Sequence, residues 1–313
     1  MKNNLNKTWL VFGASSGIGK VTTLQLLNRG YNVIAVARRI LDYNHDNLLA
    51  LSTDITKPET INQTIQKGLE RFGTIDFLLN SAGISSYGTF EEENIDVMRE
   101  VMEVNFWGSY NSIKAILPYF RENKKGVIIN ISSEMGLYPR AYGAAYCSSK
   151  YALEGLTNVL RWETKDFCKV ISVELDKFNG TEIGANKPKG VSNIKEYQNL
   201  KWLETKDINF EVDDNDLKIA VEYIIDEALK DNPSRHLLLG KTICHRANQE
   251  LNLIKKDIKN SLIKSYKCAH FDIAKLCKKY FKYKFLSIFS LNKKKDYYKK
   301  KVEFIENIKK ILK

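Results

Sequence analysis

Ser133, Tyr146 and Lys150 are the residues of this chain whose types and spacing could do chemistry together. Tyr146 and Lys150 stand four apart in a helical pattern that begins near Ala144, so a helix stacks them on one face. Ser133 follows an apolar run, residues 126–131, that reads as a buried strand. A serine leaving the carboxyl end of a strand stands where open α/β sheets take their ligands. A phenol with a pKa of about 10 is a poor acid-base group at neutral pH. An ammonium one helical turn away favours the phenolate and should lower that pKa. A serine hydroxyl aimed at the same point would orient or polarise a carbonyl. The triplet suits the handling of one proton on one oxygen.

The Tyr-x-x-x-Lys spacing alone is weak, because it recurs at Tyr110/Lys114, Tyr197/Lys201, Tyr280/Lys284 and Tyr297/Lys301. The strand-end serine and a nucleotide-binding pattern earlier in the chain set Tyr146/Lys150 apart. That pattern starts with the apolar strand of residues 8–12 and enters Gly13-Ala14-Ser15-Ser16-Gly17-Ile18-Gly19 before a helix. Glycine at 13 allows a tight turn, and glycines at 17 and 19 allow close approach of backbone to a pyrophosphate and to the sheet. The helix N-terminal N–H groups would hold the phosphate charge. The next strand, residues 32–37, ends in Arg38-Arg39 with no acid. Arginine suits a 2′-phosphate where a carboxylate would take ribose hydroxyls, so NADP (as NADPH) is expected ahead of NAD.

The 313 residues, 43% of them hydrophobic, suffice for an α/β domain plus an appendage. The formal charge of +12 is uneven. Residues 251–313 hold 19 Lys, no Arg and 5 acids, a net of +14, which leaves residues 1–250 at −2. Two regions are expected: 1–250 as the nucleotide-binding domain and 251–313 as a basic, amphipathic, mainly helical extension. Cys147, Cys168, Cys244, Cys268 and Cys277 form no Cys-x-x-Cys pair, which suits free thiols in a reducing compartment. Cys244-His245 and the His270 neighbourhood lack zinc-site spacing, so no metal is expected. With no signal core and no run of apolar residues long enough to span a bilayer, the expectation is a cytoplasmic protein.

Residues 8 to about 250 resemble the short-chain dehydrogenase/reductase family in its compact single-domain branch. The matching pieces are Gly13-x-x-x-Gly17-x-Gly19, Asp54-Ile55, Asn80-Ser81-Ala82-Gly83, Asn105, Ser133 and Tyr146-x-x-x-Lys150, in family order. Also similar are Arg71-Phe72-Gly73-Thr74-Ile75-Asp76 and the closing His236-Leu237-Leu238-Leu239-Gly240. The resemblance implies a doubly wound, Rossmann-like parallel sheet of about seven strands with helices on both faces. It implies Tyr146 as acid-base catalyst, Lys150 as its tuner and ribose ligand, Ser133 on the substrate oxygen, and Asn105 supporting a proton-relay water. Cofactor contacts would come from Gly13, Ser15, Ser16, Gly17, Ile18, Gly19, Arg38, Arg39, Asp54, Ile55, Asn80, Ala82, Gly83 and Thr181, together with Tyr146 and Lys150. Tyr142 would join Ser133 and Tyr146 at the substrate, with Tyr87, Ser85 and the span from 181 to about 206 nearby. The family usually has threonine at Phe12, a second asparagine at Ser81 and Pro-Gly at Asp176-Lys177.

The expected reaction is hydride exchange between NADPH and a ketone, aldehyde or alcohol. The rival is a non-catalytic nucleotide-binding or scaffold protein that docks through its basic tail on a membrane or partner. Family precedent implies a homodimer or homotetramer through residues 93–120 and 144–167. In the tail, Leu251, Ile254, Ile258, Leu262 and Ile263 recur at helical spacing, as do Val302, Ile305, Ile308 and Leu312. Residues 281–289 interleave aromatic and basic side chains. Such segments lie on anionic membranes at about 1 kcal/mol per lysine, or pack with their lysines to solvent. Nucleic acid ranks last, since the tail has no arginine for base readout.

Overall fold

The computed structural model describes residues 7–39, 44–178, 181, 192–198, 200, 216–268, 278–279, 281–284, 297–303 and 305–307. Seven strands form one parallel sheet: β1 Thr8–Phe12, β2 Asn32–Ala37, β3 Leu48–Ser52, β4 Phe77–Asn80, β5 Val127–Ile131, β6 Lys169–Leu175 and β7 His236–Leu239. Their order is β3-β2-β1-β4-β5-β6-β7, so the chain reverses its winding between β1 and β4. The helices are α1 Gly17–Asn28, α2 Pro58–Phe72, α3 Ile95–Met102, α4 Gly108–Glu122, α5 Ala144–Glu163, α6 Leu217–Ala228 and α7 Ile243–Cys268.

Central strands covered on both faces need unbroken apolar runs, and β1 and β5 are buried at every residue. Alternation then assigns the faces. Trp9 and Val11 enter the layer with Leu26, Ile171 and Ile224, whereas Leu10 and Phe12 enter the layer with Ile61, Ile116 and Phe120. Helix α2 starts with Pro58 in its first turn and stops at Gly73 in the left-handed region, φ 74°.

Residues 93–120 have helical periodicity, and the structure places there α3, a π-helical turn at Glu103–Trp107 and α4 in direct succession. A wide turn adds one residue without disturbing the apolar spacing on either side, which is why periodicity misses it. The chain divides into two compact units, Met1–Ala247 and Asn248–Lys313. In the second, Tyr283 stacks on Tyr298 with ring centroids 6.0 Å apart, and Ile305 is buried. Ile308, Leu312 and residues 285–289 lie outside the described residues. No described helix is long and apolar enough to cross a membrane.

Candidate active site

A cavity of about 930 Å³ opens beside β1, β2 and β4, at the point where the winding reverses. Ligands of open α/β sheets bind there, and the volume is that of a cofactor-sized site. Gly13, Ser15, Ser16, Gly17, Ile18, Arg38, Arg39, Asp54, Ile55, Ala82, Gly83 and Thr181 line it. Gly13 turns at φ 85°, and a Cβ on it would sit 2.6 Å from the Ala82 nitrogen, so no other residue fits. At the start of α1, the Ser16 side chain makes no cap hydrogen bond and the first turn carries no acid. The positive end of that helix is left for an anion. Across the cavity, burial alone would raise the Asp54 carboxyl. Two hydrogen bonds from Thr56, with Arg38 and Lys57 nearby, outweigh it and hold Asp54 below the usual carboxylate range. The cavity therefore offers backbone N–H groups for phosphate, exposed arginines at the rim, and an ionised carboxylate.

Two residues expected at the cofactor stand behind this wall. Gly19 backs onto the turn, where a Cβ would meet the Gly13 carbonyl oxygen at 2.3 Å. The Asn80 amide donates to Asn130 Oδ1 at 2.9 Å and its oxygen accepts from Ser112 at 2.7 Å. The Asn80 side chain is thus a tie between β4, β5 and α4. At the two departures, Ser81 donates its hydroxyl to the Phe12 backbone carbonyl at 2.5 Å and the Phe12 ring fills the core.

Ser133, Tyr146 and Lys150 converge. The Ser133 hydroxyl lies near enough to the Tyr146 phenol to oppose the rise of its pKa, and Ser133 is fixed as the cap of a short 3-10 turn, Glu134–Gly136, by accepting the Met135 N–H at 3.2 Å. Lys150 Nζ lies 5.6 Å from the Tyr146 ring centroid and donates to the Ile131 carbonyl at 2.9 Å. The same 5.6 Å separates Lys114 from the Tyr110 ring and Lys301 from the Tyr297 ring. Those lysines are exposed, whereas Lys150 is 2% and Tyr146 4% accessible. Burial and the serine make the difference.

Burial also reverses the expected titration. It raises the Tyr146 phenol above its ordinary value, with Tyr87 adding to the rise and the nearby Ser133 hydroxyl opposing it. It lowers Lys150 to about 8, against the attraction of Glu154. A neighbouring ammonium lowers a phenol pKa only where desolvation does not dominate, and here both groups are dry.

Asn105 sits in the π-helical turn, wholly buried. Its amide pairs with the Ile84 backbone, donating to the carbonyl at 2.9 Å and accepting the N–H at 2.8 Å, and donates to Ser149 Oγ at 2.9 Å. Asn105 thereby clamps the Ile84 loop to α5 beside Gly83, the glycine that fronts Lys150. Ser149 was not expected; its only sequence signal is its place between Tyr146 and Lys150.

A buried charged network behind Ser133 was also missed. Glu134 accepts the Tyr138 hydroxyl and pairs with Arg140 and with Arg246 Nη1, the last at 3.5 Å. Burial pushes Glu134 up to about 7 despite both arginines, with Asp176 adding to the rise. Asp176, at the family's Pro position, accepts the Thr242 N–H at 3.0 Å and hydroxyl at 2.7 Å, tying β6 to the start of α7.

Tyr142, expected at the substrate, holds a left-handed backbone, φ 62°, and donates to the Tyr197 carbonyl at 2.8 Å. It fastens the segment 192–198, which also binds Glu92 through Ser192 at 2.6 Å. Met135, Tyr146 and Cys147 form an apolar cluster with Tyr87 against it. Of the remaining span from 181 to 206, Thr181, 192–198 and 200 are the described residues.

The family model for short chain dehydrogenase matches residues 7–191. An uncharacterised oxidoreductase of Schizosaccharomyces pombe is 31% identical over 254 residues, 80% of this chain and 85% of that one. The 3-ketodihydrosphingosine reductase of Bacteroides thetaiotaomicron is 35% identical over 171 residues, 54% of this chain and 63% of the relative. The crystal structure of a short-chain dehydrogenase from Streptomyces avermitilis superposes with a TM-score of 0.75 at 28% identity, covering 84% of this chain and 99% of that one. ElxO with NADP bound gives 0.62 at 25%, covering 74% and 96%. A glycine-turn cavity and a buried Ser-Tyr-Lys cluster within this match place the chain in the short-chain dehydrogenase/reductase family, as an oxidoreductase.

Proposed function

We propose that the protein reduces a small ketone or aldehyde with NADPH, with Tyr146 giving the proton and Ser133 holding the substrate oxygen. The observation that carries this is the convergence of Ser133 and buried Lys150 on the buried Tyr146 phenol, with Lys150 Nζ 5.6 Å from its ring centroid. Burial keeps the Tyr146 phenol protonated at pH 7, the form that gives a proton in reduction. When bound, the nicotinamide supplies the hydride. The chain's residues do the rest: the α1 N-terminus takes phosphate, Arg38 and Arg39 select the 2′-phosphate, Asp54 and Ile55 flank the base, and Ala82, Gly83 and Thr181 line the ring-side wall.

Met135, Cys147 and Tyr87 around Tyr146 support an apolar carbonyl compound, and a relative named 3-ketodihydrosphingosine reductase is consistent with that. A screen following NADPH consumption over ketones and aldehydes of graded chain length tests the reading, with Tyr146→Phe as control. Turnover that persists in the variant removes Tyr146 from the chemistry, and preference for polar sugars removes the substrate class.

A second reading concerns location. Leu251, Ile254 and Ile258 form an exposed apolar stripe on α7, flanked by Lys255, Lys256 and Lys259. We read it as a docking face for anionic lipid. Cosedimentation with anionic vesicles should fall when the three lysines become glutamate; unchanged cosedimentation contradicts it. Exposed Trp107, Tyr151, Val159 and Trp162 near and on the long helices support self-association, which light scattering measures.

A further inference from the structure

One turn beyond Lys150 on α5, a second buried cluster begins at Glu154, the carboxylate that also attracts Lys150. Glu154 of α5, Glu174 of β6 and His236 of β7 each present a ligand atom, all within 4.8 Å of one another. The Glu174 side chain is fully buried and Glu154 nearly so. His236 Nδ1 lies 2.6 Å from Glu174 Oε1 and 3.9 Å from Glu154 Oε2. Ser172 donates to Glu154 Oε1 at 2.6 Å. The other carboxylate oxygens, Glu154 Oε2 and Glu174 Oε2, are buried without a hydrogen-bond partner.

Two carboxylates crowded together in a dry site need a positive partner or a shared proton. Arg161 is near both, but its Nε donates to the Val170 carbonyl at 3.1 Å and its Nη2 to the Arg235 carbonyl at 2.6 Å. Its Nη1 donates to Asn158 Oδ1 at 2.6 Å, so all three of these bonds go to oxygens other than the open ones. His236, held toward its protonated form by the contact with Glu174, is a positive partner for one carboxylate oxygen only, and its partial exposure leaves a route from solvent.

We propose that Glu154, Glu174 and His236 bind a divalent cation of the zinc class, stapling the catalytic helix α5 to strands β6 and β7. Two carboxylates and an imidazole are a three-ligand set that leaves one tetrahedral position for water. Bond lengths of about 2.0–2.2 Å put tetrahedral ligand atoms roughly 3.4 Å apart. The cation displaces the His236 Nδ1 proton, the 2.6 Å contact opens by under an ångström, and Glu154 closes from 3.9 Å. Ser172 orients Glu154 from outside the ligand set. The sequence gives no hint of this, because the three residues come from separate elements with no motif spacing.

The test is calorimetric titration of the full-length, metal-stripped protein with Zn²⁺ and Mn²⁺, paired with thermal melts. One saturable Zn²⁺ site that raises the melting temperature is expected. Glu174→Gln and His236→Gln should each weaken it at least tenfold, and Ser172→Ala by about tenfold as a ligand-orienting group. NADPH binding by each variant reports that the fold is intact, and Cys244→Ser/His245→Gln should leave the affinity unchanged. No saturable binding, or binding equal in the Glu174 and His236 variants, overturns the site and leaves the carboxylates sharing a proton.

Discussion

The two halves of the sheet build their polar surfaces from different material. From β1 to β4 the cavity is made largely by backbone: Gly13 at φ 85°, an α1 N-terminus with no acid in its first turn, and Ala82 packed on the turn. From β5 to β7 it is made by buried charged side chains, with Glu134, Lys150, Glu154 and Glu174 all below a tenth exposed. A backbone site tolerates side-chain change, whereas a buried charge depends on each partner. The nucleotide half should therefore lose ligand when altered, and the catalytic half should lose fold or chemistry.

The largest stability effect is expected at Glu134. Replacing it by alanine leaves Arg140 and Arg246 buried without their shared carboxylate, a loss of about 3–5 kcal/mol in denaturant unfolding. Ser16→Ala, at the corresponding strand-to-helix turn of the other half, removes no cap hydrogen bond and should change stability by less than about 0.5 kcal/mol. Equal losses at the two positions would break the contrast.

Arg38→Asp comes next and should leave unfolding nearly untouched. NADPH binding should weaken by about 1.5–3 kcal/mol, the range of a hydrogen bond to a charged group, while NADH binding changes little. Equal affinity of the unaltered protein for both nucleotides would count against Arg38 as the selector.

The remaining effect is a slope and not an offset. Lys150 is lowered to about 8 in the folded chain from an unfolded value of 10.5. Below pH 8 both states hold the proton and the burial penalty is fully present. Between 8 and 10.5 the unfolded state binds more protons, so stability gains from this group as pH rises. Subtracting the pH–stability curve of Lys150→Met from that of the unaltered protein isolates the gain. A flat difference would mean that Lys150 titrates normally.

The same division explains what could be read before folding. β1, β2 and β5 announce themselves as unbroken apolar runs, α2 by Pro58 and Gly73, and the cavity by glycine spacing, all local signals. Ser133, Tyr146 and Lys150 were legible because one strand-helix unit carries them. The Glu134, Arg246 and Asp176 network was not, since its members meet only through tertiary packing. Asn80 and Gly19 were assigned to the nucleotide by position, and the structure turns both inward. The Tyr146 titration was misjudged because spacing conveys proximity and not dryness. Part of the tail, including Ile308 and Leu312, lies outside the described residues.

The proposed chemistry turns on one phenol. Single-turnover hydride transfer by Tyr146→Phe, measured beside its NADPH dissociation constant, tests it most directly. Transfer should fall by about 10²–10⁴-fold, the usual contribution of a positioned acid-base group, with the dissociation constant nearly unchanged. Transfer at the unaltered rate, with NADPH still bound, would contradict it.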